Sequence, residues 1–174
     1  MPDMSSPRDW LENEDRICFE DRLTRLQWLA ERTSAGRHWL FHGGFLAQEL
    51  FEEARYCFVY GQFLATIHLG LAYLEITLAA LIYGIGGRDD LERASLATLL
   101  KEAVKQGWLT NEESQGLERV RNRRNAVTHF RKPLHPDTIE RRAVISNQLP
   151  EDVVAQDAAA LMDVALQMVA KNAV

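Results

Sequence analysis

QFLATIHLGLAYLEITLAALIY, residues 62 to 83, is apolar around nearly the whole circumference of a helix. Such a helix has no face to give to water, so it belongs at the centre of a bundle. Its first half also has to be weighed as a membrane span. Tyr56 to Leu74 is a run of 19 residues without a formal charge, at the short end of the range that crosses a bilayer. Gln62, His68, Gly61 and Gly70 interrupt that run, and Glu75 follows it directly. The flanks, FEEAR and GGRDD, are mixed in sign and give no positive-inside bias. A buried helix in a bundle that avoids the membrane is the expectation.

Further helices are legible on both sides. Upstream, Leu46, Leu50, Ala54, Cys57 and Phe58 share a face of a helix from Phe45 to Tyr60, and Gly61 can close it as a left-handed cap. The glycine-bracketed joint GRHWLFHGG precedes it. Before that, Ser6 can cap a first helix with Pro7 at its first position and Asp9 completing an S-x-x-D box. Trp10, Ile17, Leu26 and Leu29 recur along this helix, which ends near Gly36. Downstream, SLATLLKEAVKQ (Ser95 to Gln106) is amphipathic and stops at Gly107. Thr110 and Glu113 form a capping box that opens a helix to Phe130, ended by Pro133 and Pro136. RKPLHPDTIERRAVISNQL reads as a loop or short turn. A last helix, Pro150 to Lys171, carries Val153, Val154, Leu161, Val164, Ala165, Met168 and Val169 on one broad stripe. No segment alternates with the period of a strand.

The chain has 174 residues, 47% hydrophobic and 26% charged, enough for one domain with a core. Lys plus Arg total 20 against 25 acids, a net charge of −5, which excludes a globally basic nucleic-acid binder. Sixteen of the basic residues are Arg and four are Lys. Cys18 and Cys57 make neither a CxxC pair nor a zinc ligand set, and read as half-buried thiols of a reducing cytoplasm. The polar start, MPDMSSPRDW, has no apolar signal region, which also points to the cytoplasm. No metal-ligand cluster, P-loop, GxGxxG, GxSxG or HExxH occurs, and no cofactor is expected.

One segment reverses the overall charge. Arg119, Arg121, Arg123, Arg124, Arg131 and Lys132 place six positive charges in 14 residues with no acid among them. Such a patch attracts phosphate, although cations near a helix C-terminus also suit the helix dipole. Arg121, Asn125 and His129 are spaced four apart and line one helical face. A permanent cation, an amide and an imidazole are parts for phosphodiester chemistry. Arg stabilises charge on non-bridging oxygens, and His moves a proton near neutral pH. Arg37–His42 has similar spacing but lies in the glycine-bracketed joint, where a hinge or core role fits better.

RNAVTH, Arg124 to His129, matches the R-[NHD]-x-x-x-H signature of the HEPN superfamily. EEARYCFVYGQFLATIHLGLAYLEITLAALI resembles that family's first core helix, joint and second core helix. SLATLLKEAVKQGWLTNEESQGLERVRNRRNAVTH is similar to its short helix and motif helix. The resemblance implies an all-α, up-and-down bundle of four to five core helices over 45–174, with residues 1–44 as an N-terminal helical extension. It implies a metal-independent endoribonuclease in which the RNA 2′-OH attacks its own phosphodiester. Arg124 and His129 would be catalytic, with Asn125 holding them. Arg123, Arg131 and Lys132 would bind RNA. One histidine does not readily serve as both base and acid, so two copies across a two-fold axis would complete the site. A toxin or phage-defence role and an antitoxin partner follow from the same likeness, and a homodimer is expected both from it and from the wide apolar stripes of the second and last helices. Two alternatives stay open: a non-catalytic module that binds RNA, nucleotide or a protein, and a purely structural helical dimer.

Glu75 is the one acid in the apolar helix, and a buried unpaired carboxylate is costly. It is expected to pair with Arg124 or Arg121, a supporting role in the site. His68 is expected to be a satisfied core histidine, and Asp157 a solvent-facing acid.

Overall fold

The computed structural model describes residues 6–33, 39–86, 93–128, 131–132 and 135–171; the side chains of 85–86 and 124–128 lie outside that set. The described residues form seven helices and no strand: α1 (Pro7–Arg32), α2 (Gly44–Val59), α3 (Phe63–Gly86), α4 (Leu96–Lys105), α5 (Asn111–Thr128), α6 (Ile139–Ser146) and α7 (Pro150–Lys171). The protein is an all-α helical bundle.

The apolar helix is central, as its composition demands. α3 packs principally on α2 and α7, and also on α4 and α5. Ile67, Leu71, Leu74, Leu78 and Ile82 are buried on it. Both α3 (Phe63–Gly84) and α7 are long and apolar enough to cross a membrane by length and composition, but half of each apolar window is buried inside the bundle. The two helices approach closely where Gly70 has no side chain. A Cβ there would stand 2.7 Å from Cδ2 of Leu161 on α7, inside any normal carbon contact. Gly61, at φ 75°, ends α2. The next amide, Gln62 N–H, then turns back to the Cys57 carbonyl at 2.8 Å, a cap that favours glycine because a Cβ is strained there.

α2 shows its sequence stripe rotated. Ala47, Phe51, Ala54 and Phe58 are buried, whereas Leu46 is exposed and Leu50 and Cys57 are half-buried. Two apolar rows lie side by side on this helix. The choice between them is made by Phe51, whose ring packs 5.2 Å from that of Tyr73 on α3. Trp39 and Phe41 of the preceding joint stack edge-on or tilted against Phe51, so the joint is stapled to the α2–α3 contact. Burial pushes the Tyr73 phenol well above its ordinary value.

α1 is tied down at one end. Leu29 is buried, the Arg25 Nε donates to the Val59 carbonyl at 2.9 Å, and Trp28 lies against Phe58. Its other apolar residues, Trp10, Ile17 and Leu26 among them, are exposed. The stretch between Lys132 and Pro150, expected as a loop, holds α6. Thr138 caps it by accepting from the Arg141 N–H, and Asn147 closes it in a left-handed conformation at φ 53°. With eight residues and one buried side chain, Ala143, α6 lacks the long apolar period by which helices are read from sequence. The two cysteines are half-buried and free, as expected.

Candidate functional site

α5 carries the basic segment, and its start is built as its sequence requires. The Thr110 N–H donates to Oε2 of Glu113 at 2.8 Å, and the Glu113 N–H returns to Oγ1 of Thr110 at 3.2 Å. This reciprocal box satisfies two donors that helix geometry leaves open. Glu113 also receives Lys171 from the end of α7. That ammonium first, and the Thr110 amide second, hold its carboxyl below the ordinary glutamate value. Leu117 and Val120 then bury the inner face of α5.

The six cations of the segment divide into three groups. Arg119, Arg131 and Lys132 are exposed. Arg121 is engaged within its own helix: Nε and Nη2 donate to the two carboxylate oxygens of Glu118 at 2.9 and 2.5 Å. That pairing draws the Glu118 carboxyl below its ordinary value, and it means that Arg121 is bonded to Glu118 and not to Glu75. Arg124 and Asn125 lie in α5 by backbone, but their side chains lie outside the described residues, as does His129 altogether.

Arg123 belongs to an arrangement that sequence reasoning missed. Asp157 on α7, expected to face solvent, is 2% exposed. Arg142 of α6 grips it with both terminal nitrogens, at 2.6 and 2.7 Å, and Nη1 of Arg123 reaches Oδ1 at 2.9 Å. A bidentate fork plus a second guanidinium is what a carboxylate taken out of water needs. The same bonds hold the Arg142 guanidinium above its ordinary value, the hydrogen bonds it donates to Asp157 being the main cause. Two guanidiniums on one carboxylate leave a net positive spot, and Arg123 remains partly open to solvent. The signal was present in the sequence. Asp157 stands four residues after Val153 and four before Leu161, both buried on the same stripe.

Glu75 is half-buried on α3. No hydrogen bond or ion pair reaches it among the described residues. His68 is exposed, not a core residue, and its Nδ1 lies 2.8 Å from the Leu64 carbonyl one turn back. Among the described residues, no three His, Cys, Asp or Glu side chains converge as a metal ligand set would.

The class established by this geometry is an all-α bundle with an arginine–carboxylate clamp beneath the C-terminal half of α5. No protein-family model, no curated protein and no solved structure matches the chain.

Proposed function

We propose that the chain is a HEPN-like, metal-independent endoribonuclease. Its reactive set would be Arg124, Asn125 and His129, completed across a two-fold axis by a second copy. The observation that carries this reading is the motif itself, Arg-Asn-x-x-x-His, standing at the end of a capped helix in an all-α bundle. Arg124 falls seven residues after Leu117 and four after Val120, which are buried on α5 among the described residues. Glu75, half-buried and without a partner among the described residues, supplies a carboxylate that such an arginine requires. Asp157 adds support, because it anchors α5 to α6 and α7 through Arg123, the residue immediately before the motif.

In this mechanism Arg124 stabilises the charge that grows on the phosphorane oxygens. His129 moves the proton of the 2′-OH or of the leaving 5′-oxygen, its counterpart in the second copy taking the other role. The bond from the 2′-oxygen to phosphorus forms as the bond to the 5′-oxygen breaks, leaving a cyclic phosphate and a 5′-OH. Arg131 and Lys132, both exposed, would hold the RNA backbone. A toxin or phage-defence setting with an antitoxin partner belongs to the same proposal.

A second reading is favoured by one observation. Arg121 and Arg123 spend their charge on Glu118 and Asp157, which weakens the field on phosphate and suits a module that binds RNA, nucleotide or a protein without turnover. Incubation with RNA in the presence of a chelator separates the two. The nuclease reading expects cleavage to 2′,3′-cyclic phosphate ends that disappears in His129→Ala with the helical signal retained. Intact RNA at high concentrations of folded protein would overturn it.

A further inference from the structure

Among the described residues, α1 carries a run of exposed apolar side chains away from the motif helix: α1 packs principally on α2, and α5 on α3, α4 and α7. Every residue from Pro7 to Ile17 is exposed. Three turns of helix with nothing buried are marginal by themselves in water. Further along, Phe19, Leu23 and Leu26 follow at i, i+4 and i+7 and so form one strip, with exposures of 54, 36 and 49%.

The last residue of this strip, Leu26, lines a groove of about 500 Å³ between α1 and α2. Leu29 and Val59 line it, Tyr56 and Tyr60 form its far wall, their rings stacked 4.3 Å apart, and Glu52, paired with Arg55, and Glu53 stand on its α2 side. An apolar ridge beside a cleft walled by two tyrosines is self-complementary. Each copy of the chain can insert the one and receive the other, as a two-fold interface requires.

Charge identifies the occupant and its direction. The first part of α1, Pro7–Asp21, carries Asp9, Glu12, Glu14, Asp15, Glu20 and Asp21 against Arg8 and Arg16. The remainder carries Arg22, Arg25 and Arg32 against Glu31. The basic part is the part docked on α2, with the Arg22 guanidinium 5.1 Å from the centre of the Tyr60 ring and Arg25 bonded to Val59. The acidic part is the exposed one. Two copies of α1 side by side in the same direction set acid on acid. Run in opposite directions, each acidic part lies on the other's basic part.

We propose that the protein dimerises through α1, two copies running antiparallel along the α1–α2 groove, with Phe19, Leu23 and Leu26 of each against the tyrosine wall of the other. This interface is separate from the two-fold contact at the motif helix that the nuclease reading calls for, so both together would assemble four copies; its test follows the α1 contact alone and measures no cleavage.

Sedimentation equilibrium of the full chain reads it directly. The expected result is a dimer that Phe19→Glu with Leu23→Glu weakens at least about a hundredfold, from the loss of two buried side chains per copy. Val144→Glu with Ile145→Glu, on the exposed face of α6, leaves the dimer intact. Glu12→Arg with Glu20→Arg, both exposed, weakens it through charge alone. For direction, a spin label at Trp10→Cys in a Cys18→Ser, Cys57→Ser background should give a separation of roughly 35–40 Å across the dimer, from 1.5 Å of rise per residue. A monomer at about 100 μM, a dimer indifferent to the α1 changes, one broken by the α6 pair, or a short label distance would each overturn the proposal.

Discussion

α1 and α7 are helices of similar length, 26 and 22 residues, held in place by different physics. α7 buries nine residues, Asp157 among them; α1 buries Leu29. α1 is supported along its own length instead. The Ser6 side chain accepts from the Asp9 N–H, Arg8 pairs with Glu12, and Arg22 with Asp15. Such local devices contribute a few tenths to about 1 kcal/mol each. α7 is a helix because the bundle needs one at that place. Along its first half, among the described residues, α1 has only such local devices, too little to hold three exposed turns by themselves, and its apolar residues remain available to another surface.

Substitutions can sharpen this contrast. The largest effect is expected at Leu161, fully buried on α7 against Gly70. Leu161→Ala should lower unfolding stability by about 3–5 kcal/mol, read from the midpoint of a urea titration. Asp157→Ala should follow, at about 2–4 kcal/mol, since it strands the half-buried Arg142 beside an apolar cavity. Adding Arg142→Ala should recover part of that loss, and full additivity of the two changes would show that the clamp is not a coupled unit.

A smaller effect concerns the Glu113–Lys171 tie between α5 and the end of α7. The folded-state carboxyl of Glu113 lies below its unfolded value of 4.5. Its contribution is therefore complete above that pH and is lost as pH falls through the depressed folded value. Thermal unfolding followed from pH 6 downward should show a shallower acid limb in Glu113→Gln. Partial solvation of the pair keeps the difference under about 1 kcal/mol. The smallest effect belongs to α1. Ile17, 62% exposed, lies off the Phe19–Leu26 strip, and Ile17→Ala should change stability by no more than about 0.5 kcal/mol. A loss of several kcal/mol there would erase the distinction between the two helices.

Parts of the site can be compared in the same way. The capping box of Thr110 and Glu113 could be read from four residues, because all its bonds are local. The Asp157 clamp could not, because its partners are 15 and 34 positions away, on α6 and α5. Arg121 was expected to reach Glu75 on α3, but it is bonded to Glu118 on its own helix. The nearer one in sequence holds it, since a pair three residues apart on a helix costs little chain ordering. Arg124, Asn125 and His129 rest on the sequence motif, their side chains lying outside the described residues.

Amino-acid order by itself determined that these helices form, α6 excepted, where most of them start, and that α3 is central; α1 ends at Arg32, short of Gly36, and α3 runs past Tyr83 to Gly86. Caps, glycine stops and a 3.6-residue period act within one or two turns, so they are complete in a short stretch of chain. Only the tertiary structure decided which of two adjacent apolar rows on α2 turns inward, which guanidiniums close on Asp157, that His68 is exposed, and that most of α1 lies uncovered. Burial is a property of what stands opposite a side chain, and the residues that stand opposite come from distant parts of the chain.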